Sequence, residues 1–391
     1  MRLVIVGISV LVFSVGSATA RTVEIGRTAS AGHVRAWSPQ FFNGVEPYSP
    51  AQAVAAARSF DTIVALPVVF RSYVSQMKQA NPNLTLLLYM KGVFTYDTGL
   101  AESAYAHDGL GLRIQGVQFP GTWLLDPTSP VVLAYDLDRA AKLLATSGYD
   151  GVFLDTIGTA PLGLGYVSGL PVNQGTGLPW TAVDWLRATA ALAGRIAAGT
   201  GRPTIGNGLR DGSAYFDPAA PTSTLLQTGM AGAMAEGWLR GANDPIGAYP
   251  SEAEWKNDVN ALADAGSRGA SFFAVTKVWT DGSPAEEDAW YEFAAASFLL
   301  GTDGKAYLSF TYSPGDSLED YPLGHVDLGA PKGPYQKAGS VYQRSFSGGR
   351  VLVNPRNWTF TVNLGATYHT LDGTPTATVV LPPHSAEILT L

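Results

Sequence analysis

The sequence contains no cysteine. Disulfides, thiolate catalysis and cysteine-ligated zinc or iron–sulfur sites are excluded with it. Charge is scarce as well: 15% of the 391 residues are charged, against 46% hydrophobic. Such a chain can fill a sizeable core and is not intrinsically disordered. What charge there is leans negative, −7 with a pI near 5.2, which argues against nucleic acid or an anionic membrane surface as partner. Familiar catalytic signatures are also missing. There is no G-x-S-x-G elbow, no P-loop, and no G-x-G-x-x-G after the first candidate strand. The five histidines, His33, His107, His325, His369 and His384, lie far apart without H-x-x-x-H spacing, so no histidine metal site is supported. No cofactor is expected.

Arg2 precedes an apolar run from Leu3 to Val15, and Ala18-Thr19-Ala20 follows. A basic start, a short apolar stretch and an A-x-A ending are the pattern of a secretory signal peptide. The run is too short for a comfortable membrane span. Residues 1–20 are therefore expected to be a signal, with cleavage after Ala20, export, and no membrane association afterwards. Aromatic residues make up 11% of the chain, including 9 Trp and 17 Tyr. Most belong in a core, but flat rings are also surfaces on which sugars stack.

Behind the signal, short apolar segments alternate with helical ones. Candidate strands are Val34 to Phe42, Thr62 to Leu66, Leu84 to Met90, Gly151 to Asp155, Pro203 to Gly208, Gly232 to Trp238, Ala270 to Trp279 and Ala306 to Tyr312. Candidate helices lie between them, notably Val69 to Ala80, Val131 to Ser147, Ala182 to Ala198, Glu252 to Gly266 and Ala285 to Leu300, with a weaker one over Thr222 to Met230. Strands apolar on both faces are buried on both faces, as in a parallel sheet covered by helices. Eight strand–helix alternations predict an α/β fold, a (β/α)8 TIM barrel over residues 30–314, with an open doubly wound sheet as the alternative. After Pro314 the segments become short and alternating, with Ser347-Gly348-Gly349 and Leu371-Asp372-Gly373 as turns. This predicts a small C-terminal antiparallel β-sandwich domain over residues 325–391 that shares the core of the barrel.

In a (β/α)8 barrel the site forms at the C-terminal ends of the strands. Polar residues there include Asn43, Tyr89, Lys91, Asn207, Arg210 and Lys277, with Trp238 and Trp279 nearby. Two acids directly end apolar strands: Asp155 after Val152-Phe153-Leu154, and Glu236 after Met234-Ala235. Glycoside hydrolysis needs two carboxylates facing each other across the scissile bond. Glu236, flanked by Met234, Ala235 and Trp238, suits an acid held protonated by apolar surroundings. Asp155, beside Thr156 and within reach of Lys91 or Lys277, suits a carboxylate that stays ionised. The structural alternatives are a helix cap for Asp155 and an ion pair with Arg210 or Lys277 for Glu236. Asp126, in Trp123-Leu124-Leu125-Asp126-Pro127, reads first as a helix N-terminal cap and second as a site residue.

Gly148-Tyr149-Asp150-Gly151-Val152-Phe153-Leu154-Asp155 resembles the fourth-strand motif of glycoside-hydrolase-like barrels, including the endo-α-1,4-polygalactosaminidase type. Together with Trp123 to Pro127, Tyr342 to Phe346 and Val351 to Pro355, it is most similar to the hypothetical glycosyl hydrolases of family fifteen. The resemblance runs from Trp37 through the terminal β domain. It implies a secreted barrel that acts on or binds carbohydrate, with the strand-four acid at Asp155 and a strand-six acid at Glu236. One position departs from it. Polygalactosaminidase-like sequences often carry a second acid soon after the strand-four Asp, and here that position is Gly158. Their substrate contacts are not carried over. A pair on strands four and six resembles retaining α-glycosidase barrels, which implies an α-linked substrate.

The reading is thus a secreted, monomeric glycoside hydrolase of a poly- or oligosaccharide. Asp155 is its nucleophile or base, Glu236 its general acid, and Tyr89, Lys91, Asn207, Trp238, Lys277, Trp279 and Asp126 its substrate contacts. The alternatives are a non-catalytic carbohydrate-binding barrel in which Trp123, Trp238 and Trp279 stack on sugar, and a structural wall or matrix protein without an open cleft.

Overall fold

The computed structural model describes residues 25, 31–40, 48–312, 318 and 320–391. The expected signal, residues 1–20, and Asn43 lie outside them. Eight strands form one parallel sheet in chain order: β1 Trp37–Pro39, β2 Thr62–Ala65, β3 Thr85–Lys91, β4 Gly151–Asp155, β5 Thr204–Leu209, β6 Gly232–Ala235, β7 Ser271–Lys277 and β8 Tyr307–Thr311. The sheet closes on itself through a parallel bridge between Ala36 and Leu308, where the Leu308 N–H donates to the Arg35 carbonyl at 2.8 Å. The architecture is a (β/α)8 TIM barrel followed by an antiparallel C-terminal sheet, and the doubly wound alternative falls away.

The helices are α1 Pro50–Ser59, α2 Pro67–Phe70, α3 Val74–Ala80, α4 Pro130–Ser147, α5 Ala182–Thr200, α6 Gly212–Tyr215, α7 Glu252–Ser267 and α8 Pro284–Gly301. Their starts are written in the sequence. Ser49, Ser251 and Ser283 each close a capping box with Gln52, Glu254 and Glu286, and Pro50 and Pro284 occupy the first turn. At α4 the cap is Ser129, with Pro130 following. The helix ends at Gly148 in the left-handed conformation (φ 72°), which turns the chain directly into β4. The expected helix Val69 to Ala80 is divided into α2 and α3, and Thr222–Gln227 is a 3-10 turn.

Side chains from all eight strands fill the barrel interior: Trp37, Val64, Leu87, Phe153, Ile205, Met234, Phe273 and Tyr307 are each fully buried in one cluster. Strand side chains alternate with period two. The inward residue one step beyond this layer is therefore Tyr89 on β3, Asp155 on β4, Asn207 on β5 and Glu236 just past β6. On β7, Val275 is inward and Lys277 comes next. The packed interior is the floor of whatever sits at the C-terminal rim.

The terminal sheet contains β9 Gln336–Ala338, β10 Val341–Ser345, β11 Gly349–Asn354, β12 Phe360–His369, β13 Pro375–Leu381 and β14 Ser385–Thr390, in the order β9-β10-β11-β14-β12-β13. One face joins the barrel core through Tyr342, Val351, Val353 and Ile388. The other face builds its own small cluster around Val341, Leu352, Val379 and Leu389. Charged groups lock the seam. Glu252, the first residue of α7, accepts from Arg356 Nε (2.7 Å), Tyr342 Oη (2.7 Å) and Lys337 Nζ (2.9 Å). Arg344 donates to the carbonyls of Leu299, Leu300 and Thr302 and so satisfies the C-terminal end of α8.

Candidate active site

Asp155 and Glu236 meet across Asn207. The Asn207 amide nitrogen has two hydrogens. It donates to Asp155 Oδ1 at 2.8 Å and to Glu236 Oε2 at 2.9 Å. Those two oxygens are therefore under about 6 Å apart, short of the ~6.5–9.5 Å that leaves room for a water between two carboxyl groups. Tyr89 donates its hydroxyl to Asp155 Oδ2 at 2.6 Å, and its ring stacks on Phe153 of the interior layer. Lys277 donates to Glu236 Oε1 at 2.5 Å. The ion pair foreseen as an alternative for Glu236 is therefore present, with Lys277 and not Arg210. It coexists with the strand-end position.

The expected environments are exchanged. Asp155 is the buried acid, 8% exposed, while the Glu236 side chain is 40% exposed beside Lys277. Burial, with the nearby Glu236 charge adding to it, pushes the Asp155 carboxyl above its ordinary value. The hydrogen bonds from Tyr89 and Asn207 and the Lys91 charge oppose that shift. Trp238 flanks Glu236 only in sequence. β6 ends at Ala235, and the Trp238 ring turns into the core, fully buried, donating to the Asp258 carbonyl at 3.0 Å.

The pair opens into a cleft of about 1350 Å³. Sites for drug-sized ligands run to about 300–1000 Å³, so a run of several sugars fits. Among the described residues six carboxylates line it: Asp155, Asp211, Glu236, Asp244, Glu254 and Asp258. Four are committed to backbone N–H groups. Asp211 caps α6, Asp244 holds Gly241, Glu254 completes the Ser251 capping box, and Asp258 accepts from Gly212. Asp155 and Glu236 alone are held by side chains from neighbouring strand ends.

The backbone beside both acids is strained. Thr156, directly after Asp155, sits at φ 60°, and Leu239, three residues after Glu236, at φ 63°. For a β-branched residue this is a genuine outlier, and such strain gathers at functional sites. Past Thr156 the Ile157 N–H donates to the Asn207 carbonyl at 2.8 Å. Gly158 then lies against Gly208 of β5 so closely that a Cβ on it would be 2.8 Å from the Gly208 Cα. Residue 158, where the sequence departs from the polygalactosaminidase-like pattern, has no room for a side chain unless the end of β5 moves.

Sequence reasoning missed one wall of the cleft. Gln118, Phe119 and Tyr166 line it, although they come from two separate connections, after β3 and after β4. The connections are knitted edge to edge: Val117 N–H donates to the Tyr166 carbonyl, and Ser168 N–H to that of Gln115, each at 2.9 Å. Phe119 and Tyr166 pack edge to face at 5.7 Å. The Tyr166 hydroxyl is pushed up to about 12, first by burial and also by the charges of Asp155 and Glu236. The two loops show aromatic content in the sequence, but nothing there pairs them.

The other expected contacts divide. Lys91 stands beside Asp155 in the strand register, its ammonium 4.5 Å over the Phe119 ring, and burial lowers its pKa. Trp279 does not line the cleft. Its ring faces the Lys277 ammonium at 4.4 Å and its indole N–H donates to Thr311. Trp123 belongs to a two-residue strand paired with Phe94–Thr95 and packs on Tyr105. Asp126 is buried and accepts from the N–H and hydroxyl of Thr128, holding the turn before the Ser129 cap. It caps no helix itself and does not line the cleft. Among the described residues no cluster of three or more His, Asp or Glu has metal-binding geometry.

A family model described as hypothetical glycosyl hydrolase family 15 matches residues 78–350, well over half of the chain. No curated protein matches it. Among solved structures, the noncanonic maltogenic α-amylase AmyB from Thermotoga neapolitana aligns with a TM-score of 0.52 at 11% identity, covering 93% of this chain and 97% of that one. The γ-CGTase from Alkalophilic bacillus clarkii aligns with a TM-score of 0.53 at 11% identity, covering 94% and 71%. The glycoside hydrolase domain of PelA from Pseudomonas aeruginosa gives a TM-score of 0.45 at 17% identity, covering 76% and 98%. At such identities the first two likenesses concern the fold alone. The match over residues 78–350 takes in both strand-end acids and their partners Tyr89, Asn207 and Lys277, so the chain belongs to hypothetical glycosyl hydrolase family 15 and is a glycoside hydrolase.

Proposed function

We propose that the enzyme cleaves an α-linked poly- or oligosaccharide with retention of configuration, using Asp155 as nucleophile and Glu236 as acid and base. The observation that carries this is the Asn207 amide bridging the two carboxylates, which keeps them too close to admit an attacking water between them. Asp155 suits the nucleophile because Tyr89 and Asn207 fix its oxygens above the packed interior. Glu236 suits the acid and base because its exposed side chain can exchange protons with solvent in each half of the cycle.

An Asp155 oxygen bonds to the anomeric carbon as the glycosidic C–O bond breaks, and Glu236 gives its proton to the leaving oxygen. A water then attacks the same carbon, returns a proton to Glu236 and frees the Asp155 carboxylate. One water is consumed. Phe119 and Tyr166 supply flat faces for a sugar. The strand-four and strand-six placement supports an α-linkage, and the signal-like residues 1–20 support action outside the cell. The protein is proposed to act as a monomer on carbohydrate.

The test is hydrolysis of a panel of α- and β-linked polysaccharides by wild type, Asp155→Asn and Glu236→Gln, with the first-formed anomer read by proton NMR. Turnover lost in both variants and a retained anomer are expected. Variants as active as wild type would sink the pair, and an inverted anomer would sink the nucleophile. Azide distinguishes the roles: it should rescue Asp155→Gly with an inverted glycosyl azide and Glu236→Gly with a retained one.

A further inference from the structure

We propose that the C-terminal sheet completes the catalytic cleft, with His384 as a positioning residue that holds Tyr249, and with it the loop that begins at Glu236. Tyr249 lines the cleft and closes that loop just before α7. Its ring lies between two others. Trp290 of α8, fully buried, stacks on it at 4.0 Å with planes 3° apart. His384, from the turn between β13 and β14, stacks at 4.6 Å and 12°. The barrel ties this loop as well: Arg240 donates to the Lys277 and Pro245 carbonyls and to the Thr280 hydroxyl, Trp290 Nε1 donates to the Ile246 carbonyl, and Phe293 packs edge-on against Tyr249 at 5.4 Å. The ring face of Tyr249 turned away from Trp290 is covered by the terminal sheet.

Three observations make this more than contact. First, His384 is at φ 49°, a left-handed conformation that glycine adopts freely and other residues uncommonly. A ring kept at a position whose backbone favours glycine points to a use for the ring. Second, the turn is rigidly presented. Asn354 Nδ2 donates to the Pro382 carbonyl at 2.6 Å, the His384 N–H donates to Arg356, and His384 Nε2 pairs with Asn357 Oδ1 at 2.5 Å. Third, Arg356 is the residue that clamps Glu252, three positions after Tyr249. The terminal sheet thus grips the end of the Glu236 loop at two neighbouring points.

The inference rests on the glycosidase reading of the cleft only through Tyr249, so its first readout needs no substrate. Hydrogen exchange of residues 237–250 is compared in wild type, His384→Gly and His384→Phe. His384→Gly relieves the backbone and deletes the ring. The expected result is faster exchange in 237–250 with a melting temperature little changed. On the polysaccharide that the wild type cleaves, KM should rise about 5- to 10-fold with kcat within about twofold, the signature of lost binding contacts. His384→Phe should restore both exchange and KM. The proposal is overturned if exchange in 237–250 is unchanged in His384→Gly, if His384→Phe is no better than His384→Gly, or if His384→Gly simply unfolds. Normal exchange shifts with no turnover by any form would leave the stack standing and remove the glycosidase reading instead.

Discussion

Asp155 and Glu252 are both acids at the edge of the barrel, and each is held by several donors, yet they do opposite work. Glu252 sits on the seam with the terminal sheet, and two of its three partner residues, Arg356 and Lys337, are cations. The Arg356 hydrogen bonds above all hold its carboxyl down at about 2. Asp155 sits on the barrel floor, and both of its hydrogen-bond donors, Tyr89 and Asn207, are neutral. With no cation bonded to it, burial wins and its carboxyl is pushed up. A carboxylate saturated by cations is a fixed anion that joins two layers. One held in place by neutral groups keeps its geometry with no cation bonded to it, and its oxygens are left able to form a bond of their own.

The comparison can be broken at four points. The largest effect is at the rim. Asp155→Asn should lower kcat about 1000-fold or more while the melting curve stays near that of wild type. A modest kcat loss with a collapsed melting temperature would make Asp155 a seam-type residue. Tyr89→Phe removes one neutral donor, and kcat/KM should fall about 10- to 100-fold, the worth of a hydrogen bond to a charged group. At the seam the readout reverses. Glu252→Gln should cost about 1–3 kcal/mol in urea unfolding at pH 7, with kcat per folded molecule retained.

The sign of the pH dependence follows from the depressed carboxyl. Its stabilisation is present above the ordinary value of 4.5 and is lost as pH falls towards about 2. The penalty of Glu252→Gln should therefore shrink when measured at pH 3, and a penalty independent of pH would contradict the cation clamp. The smallest effect concerns Asp136, fully buried on α4 with neither carboxylate oxygen hydrogen-bonded among the described residues. Burial pushes it up to about 7, with Arg139 opposing. A raised acid gives stability that is present below its ordinary value of 3.8 and lost as pH rises through about 7. Asp136→Leu should accordingly raise the melting temperature by a few degrees more at pH 8 than at pH 5. Equal gains at both values would place its carboxyl in the ordinary range.

Much of this was readable before folding because the barrel repeats one simple rule. Gly151 to Asp155 begins and ends as expected, since a helix stop, a wholly apolar run and an acid leave no other parse. Period two then delivers Tyr89, Asn207 and Glu236 to the same rim. The rule fails once a strand has ended. Trp238 keeps the parity of Glu236, but the chain has already turned at Ala235, and the indole goes under α7. An apolar run cannot show where its hydrogen-bonded ladder stops. Environment was harder still: Glu236 has apolar neighbours in the chain, whereas in space its neighbour is Lys277, delivered by the next strand. Phe119 with Tyr166, and Tyr249 with His384, are meetings across long loops or between layers, which no local pattern encodes.

The contact between Gly158 and Gly208 has a consequence for the shape of the cleft. Each glycine is the other's wall, for a Cβ on Gly208 would stand 2.6 Å from the Gly158 nitrogen. A side chain at either position would push the turn after β4 and the end of β5 apart. Both glycines line the cleft, so the pair sets how near the chain after Asp155 stands to the strand that carries Asn207.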